Sequence, residues 1–346
     1  MPSTEASGGP KTRVGVVGLG KMGISHCAIV NMHPAAEVVA VCDQSSIIRE
    51  AFKRNTKMSV YSDYQDMLKK EELDCIYLSV PTDLHTSMVE EAMINDLGVF
   101  CEKPFALDIS EGKRIVSIQK EKGIVNQVGY HNRFLATFNA VKKYLNDGII
   151  GNIHHFDAES YGPVVLKPKG KTWRSSRDKG GGCLYDYASH VIDLVHFILG
   201  DIEKVSGTQL KSIYSTGIED AVYSMLNLKN GIGGALSVNW SDEAFRKMTV
   251  RISVFGDKGK IISDAQELKI YLRQEDEAHG LRKGWNIKYL TDFPLDTHFY
   301  LRGEEYSAET DYFVQSVRNG NTDGISSFES ALKTDQVISW LQKDGE

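Results

Sequence analysis

Three residues with side chains suited to acid–base chemistry stand out in the sequence, namely Lys103, Asp186 and His190. Asp186 and His190 are four residues apart, so a helix that begins near Tyr185 would place both side chains on one face. Oxidation of a secondary alcohol needs a base that accepts the hydroxyl proton, and histidine has a suitable intrinsic pKa. The ammonium group of Lys103 would stabilise the developing alkoxide. The three residues therefore predict dehydrogenase chemistry.

Each of these residues also has a structural interpretation. Asp186 either orients the imidazole, binds a second substrate hydroxyl or caps a helix N-terminus. His190 is either the base or a packed helix histidine, and Lys103 is either in the site or on the solvated surface. A glycine run at residues 180–182 precedes them and would let a substrate approach the backbone closely.

A glycine-rich loop follows the first apolar run of the chain, at residues 13–18, and opens a predicted helix at residues 22–32. The first glycine of a GxGxxG loop makes a tight turn, the second admits a pyrophosphate, and the third lets the helix pack on the strand. The N–H groups at the helix N-terminus attract phosphates. The strand, loop and helix together predict a dinucleotide site formed by Gly18, Leu19, Gly20, Lys21, Met22 and Gly23.

An acidic residue, Asp43, ends the second predicted strand, 25 positions after Gly18. A carboxylate at this point accepts hydrogen bonds from both ribose hydroxyls of the adenosine half and repels a 2′-phosphate. No arginine or lysine follows at once, because the next residues are Gln44, Ser45 and Ser46. We therefore expect NAD rather than NADP as the cofactor.

Further polar residues follow the ends of predicted strands. The predicted strand that ends at residue 80 runs into Pro81, Thr82 and His85, and the one that ends at residue 101 runs into Glu102 and Lys103. Ligands of open parallel sheets lie at the carboxyl ends of the strands, so we expect these residues to contact the cofactor. His85 has the alternative role of a helix-start histidine. A second group would line a polar substrate pocket, and comprises His131, Arg133, Tyr161, Trp173 and Arg174.

The elements that position these residues fall into two parts. Up to about residue 131, short apolar runs alternate with amphipathic helical stretches, which is typical of parallel strands covered by helices on both faces. Residues 153–161, 205–213, 221–228, 234–240, 249–255 and 260–262 then read as strands, with a tight hairpin at residues 230–231. A helix at residues 188–199 and two closing helices at residues 305–318 and 328–342 accompany them. We expect an α/β protein with a tail at residues 1–11, a dinucleotide-binding domain at residues 12–131 and an α+β substrate and oligomerisation domain at residues 132–346, whose closing helices pack back on the first domain.

Composition excludes several classes of protein. A length of 346 residues suits two domains, and a net charge of -6 does not favour nucleic acid as a partner. No apolar run is long enough to cross a membrane, and residues 1–11 lack the features of a signal peptide. Five scattered cysteines indicate buried thiols in the reducing cytoplasm, and no Cys or His cluster predicts a metal.

With these motifs in order, the chain resembles the glucose–fructose oxidoreductase, inositol dehydrogenase and MocA family. The resemblance extends over residues 12–342 and rests on GLGKMG, Asp43, CEKP and GGGCLYDYASHVID. It implies an N-terminal Rossmann domain and a C-terminal domain whose open sheet often joins subunits as a dimer or tetramer. It also implies NAD-dependent oxidation or reduction of a carbinol on a sugar, sugar derivative or cyclitol, with Lys103, Asp186 and His190 as the catalytic group.

The chain departs from that family at three places. Ala188 stands where glycine is common, and Thr82 stands where asparagine is common, which puts the local nicotinamide contact in doubt. The segment at residues 162–171 carries three lysines and two prolines without a family pattern, and its charge would suit a phosphorylated or nucleotide-linked sugar. The alternatives are a reductase of an aromatic diol or tetrapyrrole, a relative that cleaves glycosides through transient oxidation, and a non-enzymatic NAD-dependent sensor.

Overall fold

The structure is a computed structural model of the chain. It describes residues 9–165, 173–294, 297, 299, 301 and 304–346, without the side chains of Trp173, Glu304 and Glu305. Most of the predicted N-terminal tail therefore lies outside the described residues. So do Lys167, Lys169 and Lys171, on which the idea of a phosphorylated substrate depended.

Two compact units make up the chain. The first runs from the N-terminus to His131 and includes a later segment, Leu295–Leu332. The second comprises Asn132–Pro294 and Lys333–Glu346. Among the described residues, no helix has the length and apolar character needed to cross a bilayer.

The first unit is built on a six-stranded parallel sheet with the order β3-β2-β1-β4-β5-β6. Its strands are β1 (Thr12–Val17), β2 (Ala36–Cys42), β3 (Ser59–Tyr61), β4 (Cys75–Leu78), β5 (Gly98–Cys101) and β6 (Asn126–Val128). The accompanying helices are α1 (Lys21–Met32), α2 (Ser46–Asn55), α3 (Tyr64–Lys70), α4 (His85–Ile94), α5 (Ile109–Lys122) and, from the later segment, α8 (Glu304–Asn319).

The central strands of this sheet are apolar because both of their faces are covered. Every residue of β4 and β5 is buried, as expected for parallel strands between helical layers. On one face, Tyr77 stacks on Phe100 with ring centroids 4.5 Å apart, and Phe313 of α8 packs edge-on against both. This rigid core fixes the carboxyl ends of β4 and β5, where the polar residues stand.

The second unit is built on an eight-stranded sheet with the order β14-β13-β12-β11-β7-β10-β9-β8. Only β7 and β10 pair in parallel, and the other neighbours are antiparallel. Its strands are β7 (Ile153–Tyr161), β8 (Ile202–Lys211), β9 (Ala221–Leu228), β10 (Gly233–Asn239), β11 (Thr249–Gly256), β12 (Gly259–Asp264), β13 (Glu267–Leu272) and β14 (Gly284–Tyr289). The helices are α6 (Ala136–Asn146), α7 (Ser189–Leu199) and α9 (Phe328–Gly345), whose first turn belongs to the first unit.

The two faces of this sheet differ. Burial alternates along the strands, and the inner face packs on α6 and α7. The outer face leaves large apolar side chains exposed, namely Tyr223, Met225, Tyr271, Trp285, Ile287 and Tyr289. Cross-strand partners such as Tyr271 and Trp285 lie on the same face and their rings are 5.4 Å apart.

The predicted fold class, a parallel doubly wound sheet followed by a large and mostly antiparallel sheet, is confirmed. The hairpin at residues 230–231 is also present, because Gly231 joins β9 to β10 with a φ of 86°. The sequence analysis missed β3, β13 and β14. The strand predictions assumed that the apolar side chains of a strand are buried. In β14 the apolar side chains face outward instead, so this strand did not fit the assumption.

Candidate functional site

The glycine loop has the geometry that its sequence predicts. A Cβ on Gly18, whose φ is 82°, would lie 2.4 Å from the carbonyl oxygen of Ser79, and a Cβ on Gly23 would lie 1.7 Å from that of Gly18. These two glycines are therefore required by the fold of the loop itself. Gly20 differs, because a Cβ there would meet nothing within 4 Å. Gly20 is the exposed N-cap of α1, so an anion can approach the helix N-terminus at this point.

Asp43 follows β2 and is tied to the glycine loop. Its Oδ2 accepts a hydrogen bond from the backbone N–H of Leu19 at 2.6 Å, and its Oδ1 accepts one from Ser45 N–H at 2.7 Å. Arg49 donates to the backbone carbonyls of Asp43 and Gln44 at 2.8 and 2.7 Å. The carboxylate thus stands beside the loop, as a ribose ligand requires, while the Arg49 side chain bonds to the backbone rather than to the carboxylate.

The three residues after β4 that were predicted to contact the cofactor differ in their burial. Pro81 is exposed, Thr82 is buried at the start of a short 3₁₀ helix, and His85 begins α4. The imidazole of His85 is buried, with Nδ1 2.9 Å from the carbonyl oxygen of Pro104 and Nε2 3.0 Å from that of Val80. Burial lowers the pKa of His85. These contacts favour the alternative interpretation of His85 as a helix-start histidine, and they show in addition that the ring links the chain segments after β4 and β5.

Glu102 and Lys103 follow β5. One carboxylate oxygen of Glu102 lies 2.7 Å from Nε2 of His26, which is buried in α1, and the other accepts the N–H of Lys103 at 3.3 Å. Burial acts to raise the pKa of Glu102, but the hydrogen bond from His26 and the electrostatic influence of His26, Lys103 and His131 outweigh it and lower this pKa. The sequence analysis missed His26. Its signal was a polar residue three positions after Gly23, on the face of α1 that also carries the buried Cys27 and Val30.

In the second unit, the glycine run leads into a π-helical turn, Leu184–Ala188, which continues directly as α7. Asp186 and His190 are one turn apart on this segment, and both are buried. Nε of Arg174 donates to Oδ2 of Asp186 at 2.9 Å. The structure thus brings together Asp186, His190 and Arg174, three of the residues that the sequence analysis selected.

The glycines at residues 181 and 182 are explained by the packing of the chain and not by the predicted approach of a substrate. A Cβ on Gly181 would lie 2.5 Å from the carbonyl oxygen of Arg174, and one on Gly182 would lie 2.2 Å from Oε1 of Glu219. Glu219 is buried and accepts the N–H of Leu184 at 3.0 Å. The expectation that these glycines leave room for a substrate is therefore wrong at residues 181 and 182, because the chain itself fills the space.

Arg133 does not have the geometry of a substrate ligand. It is buried and forms a bidentate ion pair with Asp193 of α7, at 2.8 and 2.6 Å. Its guanidinium carbon also lies 5.4 Å from the ring centroid of Phe197. The predicted substrate contact of Arg133 is thus replaced by a contact that fixes α7, because a buried cation requires a buried anion.

Tyr161 and Trp173 complete the predicted pocket. Tyr161 lies on the outer face of the sheet, where its hydroxyl is 2.8 Å from that of Ser237 and its ring stacks on Phe245. Its neighbour Ser160 faces inward and is fully buried. Tyr161 therefore lies on the face of the sheet opposite to α7. The Trp173 side chain lies outside the described residues.

No cluster of histidine, cysteine or carboxylate side chains suited to a metal occurs among the described residues. The five cysteines are free and buried. Burial raises the pKa of the Cys27 and Cys42 thiols to about 11, so neither is a thiolate nucleophile.

The two units match two family models in the order expected from the fold. A model described as an oxidoreductase family with an NAD-binding Rossmann fold matches residues 12–130, and one described as the GFO/IDH/MocA C-terminal domain matches residues 138–262. The chain belongs to the GFO/IDH/MocA oxidoreductase family. The predicted family and its NAD cofactor are confirmed.

Characterised relatives within this family cover nearly the whole chain. Myo-inositol 2-dehydrogenase of Thermotoga maritima is 27% identical over 91% of this chain and 90% of its own length. Scyllo-inositol 2-dehydrogenase (NAD+) of Bacillus subtilis is 26% identical over 95% of this chain and 92% of its own. Levoglucosan dehydrogenase in complex with NADH has the same fold, with a TM-score of 0.85 and 21% identity over 97% of each chain.

Proposed function

We propose that this member of the GFO/IDH/MocA family transfers hydride between NAD(H) and a secondary alcohol or ketone of a sugar, sugar derivative or cyclitol. The observation that carries the proposal is the continuous helical segment that presents Asp186 and His190 together, with Asp186 ion-paired to Arg174. The names of the relatives support the same class of substrate, since two of them are inositol dehydrogenases.

The cofactor contacts are proposed from the residues at the sheet edge. The open position of Gly20 and the helix N-terminus behind it fit a pyrophosphate, with Leu19, Lys21 and Met22 beside it. The carboxylate of Asp43 fits the adenosine ribose hydroxyls. Pro81, Thr82 and Glu102 stand at neighbouring strand ends, and we assign them to the nicotinamide half.

The roles of the catalytic residues follow from their chemistry. Bound NAD supplies an electrophilic carbon that accepts hydride, and so two electrons, from the carbinol carbon. His190 accepts the proton of the substrate hydroxyl as the carbonyl forms, and Lys103 stabilises the negative charge that develops on that oxygen. Asp186 orients the imidazole or binds a second hydroxyl. In the reverse direction, His190 returns the proton to the oxygen.

Substrate selection is assigned to Arg174, whose side chain is half-exposed and already contacts Asp186. A guanidinium offers forked donors to neighbouring hydroxyls. Trp173, the preceding residue, remains part of the proposed substrate site. Arg133 and Tyr161 are left out of it, because the first is consumed in a buried ion pair and the second lies on the outer face of the sheet.

A substrate panel tests the proposal. The protein is incubated with NAD and, separately, with myo-inositol, scyllo-inositol, free aldoses, anhydrosugars, sugar phosphates and nucleotide sugars, and nicotinamide absorbance is followed. NMR of the products must show one new carbonyl for each NADH formed. Cleavage of the glycosidic bond of a nucleotide sugar without net NADH would instead support the glycoside-cleaving relative. No product from any compound, with NAD binding confirmed, would support the sensor.

We also propose a cytoplasmic homo-oligomer, a dimer or tetramer assembled through the outer face of the eight-stranded sheet. The exposed apolar side chains of β9, β13 and β14 support this assembly, since isolated domains seldom leave such a surface open. Light scattering of the wild type and of a Trp285→Glu variant tests it. A monomeric wild type would contradict the proposal. The free thiols support a reducing compartment.

A further inference from the structure

Glu102, the residue that precedes Lys103, forms a buried pair with a histidine. His26 lies in α1, three residues after the last glycine of the loop, and its side chain is 1% exposed. Its Nε2 is 2.7 Å from Oε1 of Glu102. The contact joins the helix that follows the dinucleotide loop to the strand end that carries Lys103.

The orientation of the imidazole is fixed by packing. The ring centroid of His26 lies 5.0 Å from that of Phe100 and 5.4 Å from that of Tyr77, and Tyr306 of α8 packs at 6.5 Å. Nδ1 is buried and has no hydrogen-bond partner among the described residues. Because only Nε2 has an acceptor, the ring proton is assigned to Nε2 and is donated to Glu102.

Glu102 is held at both of its oxygens. Oε1 accepts from His26, and Oε2 accepts the backbone N–H of Lys103 at 3.3 Å. A Cβ on Gly129 would lie 3.1 Å from Oε2, so only a glycine leaves full room for the carboxylate there. The lowered pKa of Glu102 means that this carboxylate is charged at neutral pH. A charged and doubly bonded carboxylate therefore precedes Lys103 in the chain.

We infer that His26 is a positioning residue for hydride transfer, and that it acts through Glu102 on Lys103 and on the nicotinamide half of the cofactor. This inference rests on the proposed function for the role of Lys103. His26 does not touch substrate or cofactor. Without the bond from Nε2, the Glu102 carboxylate loses its side-chain donor, and the acceptor of the Lys103 backbone N–H is no longer fixed.

The chain offers a matched control at the C-cap of the same helix. His33 is also buried, and its Nε2 lies 2.9 Å from a carboxylate, that of Asp311. Asp311 belongs to α8 and not to the strand end that carries Lys103. Replacement of His33 therefore removes a buried histidine–carboxylate pair at the end of α1, together with the hydrogen bond from the Ala35 N–H to Nδ1, and leaves the contact between His26 and Glu102 in place.

The test compares His26→Leu, His26→Gln, Glu102→Gln and His33→Leu in the full-length protein. A glutamine amide reaches approximately the position of Nε2 and preserves a donor. We expect His26→Leu and Glu102→Gln each to lower kcat by about 10- to 100-fold, as for loss of a hydrogen bond to a charged group. We expect His26→Gln to recover most of this loss, and His33→Leu to lower the melting temperature with kcat within about threefold of wild type.

A second readout does not depend on the substrate. Nicotinamide fluorescence of NADH on binding reports the environment of the ring, and the Kd reports the whole cofactor. We expect His26→Leu to change the emission of bound NADH while the Kd changes by less than about threefold, because the pyrophosphate and adenosine contacts remain. His33→Leu should leave the emission as in wild type.

The outcomes separate this inference from the proposed function. Absence of turnover in the wild type on every alcohol would contradict the proposed function, and the emission data would still decide the role of His26. Equal kcat and equal emission for folded His26→Leu and wild type would overturn the inference. The same losses in His33→Leu as in His26→Leu would overturn it too, because they would show general destabilisation of α1.

Discussion

Arg174 and Asp186 form a charge-assisted hydrogen bond of 2.9 Å at the start of the helical segment that carries His190. Asp186 is almost completely buried, whereas the Arg174 side chain is 37% exposed. The buried carboxylate is therefore held by a guanidinium that is itself partly exposed, so the guanidinium can also donate to the hydroxyl groups of a bound substrate. This pair is the clearest specific feature of the second unit, and it yields the first prediction.

Replacement of Arg174 by alanine should lower kcat/KM for the substrate by about 10- to 100-fold, because a buried carboxylate loses its charged donor. NAD binding should stay within about threefold of wild type. Arg177→Ala is the neighbouring control, since Arg177 is 3.6 Å from Glu219 and does not contact Asp186. Steady-state kinetics of both variants tests this prediction. An equal loss of kcat/KM in the two variants would argue against a specific role for Arg174.

In the glycine loop, we predict that the cofactor requires a glycine at Gly20, whereas the fold requires one at Gly23. Gly20→Ala should leave the free energy of unfolding within about 0.5 kcal/mol of wild type, since a Cβ meets nothing there. It should raise the Kd for NAD at least about tenfold, because the methyl group enters the path of the pyrophosphate. Titration of NADH fluorescence gives the Kd.

Gly23→Ala is the contrasting variant. Its Cβ would lie 1.7 Å from the carbonyl oxygen of Gly18, so the loop must move. We expect a loss of more than about 2 kcal/mol in the free energy of unfolding, although alanine normally favours a helix. Urea denaturation measures this loss. For the first of these two variants, Gly20→Ala, a normal NAD affinity would contradict the proposed position of the pyrophosphate.

Asp43 is predicted to set the choice between NAD and NADP. Asp43→Ala removes the ribose ligand and the acceptor of the Leu19 N–H, and it removes the charge that repels a 2′-phosphate. The ratio of kcat/KM for NAD to that for NADP should fall at least about tenfold. Asp63→Ala is the control, because Asp63 only caps α3. An unchanged ratio in the Asp43 variant would refute the assignment.

The buried pair of Arg133 and Asp193 should affect stability rather than catalysis. Asp193→Ala leaves a buried guanidinium without its anion and should cost about 3–5 kcal/mol in the free energy of unfolding. The double variant Arg133→Met, Asp193→Leu should recover much of this loss, since an apolar pair of similar volume avoids the desolvation penalty. Chemical denaturation of the three proteins tests the coupling. Full recovery of stability without recovery of activity would return Arg133 to the substrate site.

Stability of the second unit should fall in mild acid. Burial lowers the pKa of His196 to about 4, below the value of about 6.5 for an unfolded histidine. As the pH falls through 6.5, the unfolded chain takes up a proton that the folded chain refuses, so up to about 3 kcal/mol of stability is lost by about pH 4. His196→Gln should flatten this part of the profile of unfolding free energy against pH. An equally steep profile in the variant would assign the effect to other groups.

More of the first unit than of the second could be predicted from the sequence. A GxGxxG loop between an apolar strand and a helix, with an acid after the next strand, is a local pattern, so Gly18 to Asp43 could be placed without any knowledge of distant contacts. The alternation of short apolar runs with amphipathic stretches likewise predicted the parallel sheet, because strands that are buried on both faces are apolar along their whole length.

The errors arose where long-range contacts or strand phase decide the outcome. The partner of Arg133 lies 60 residues away, and nothing near Arg133 indicates that its charge is consumed there. Tyr161 differs from Ser160 only in which face of β7 it occupies. The glycine run at residues 180–182 is explained by Glu219, which the sequence places in an unrelated loop.

The most direct test of the account is the fate of the hydrogen on the carbinol carbon. Fully carbon-deuterated myo-inositol, or the substrate that the panel identifies in the same labelled form, is incubated with NAD, and the reduced cofactor is isolated for mass spectrometry. We predict one deuterium in each NADH formed, and loss of this transfer in a folded His190→Ala variant that still binds NAD. Unlabelled NADH, or unimpaired transfer in His190→Ala, would contradict it.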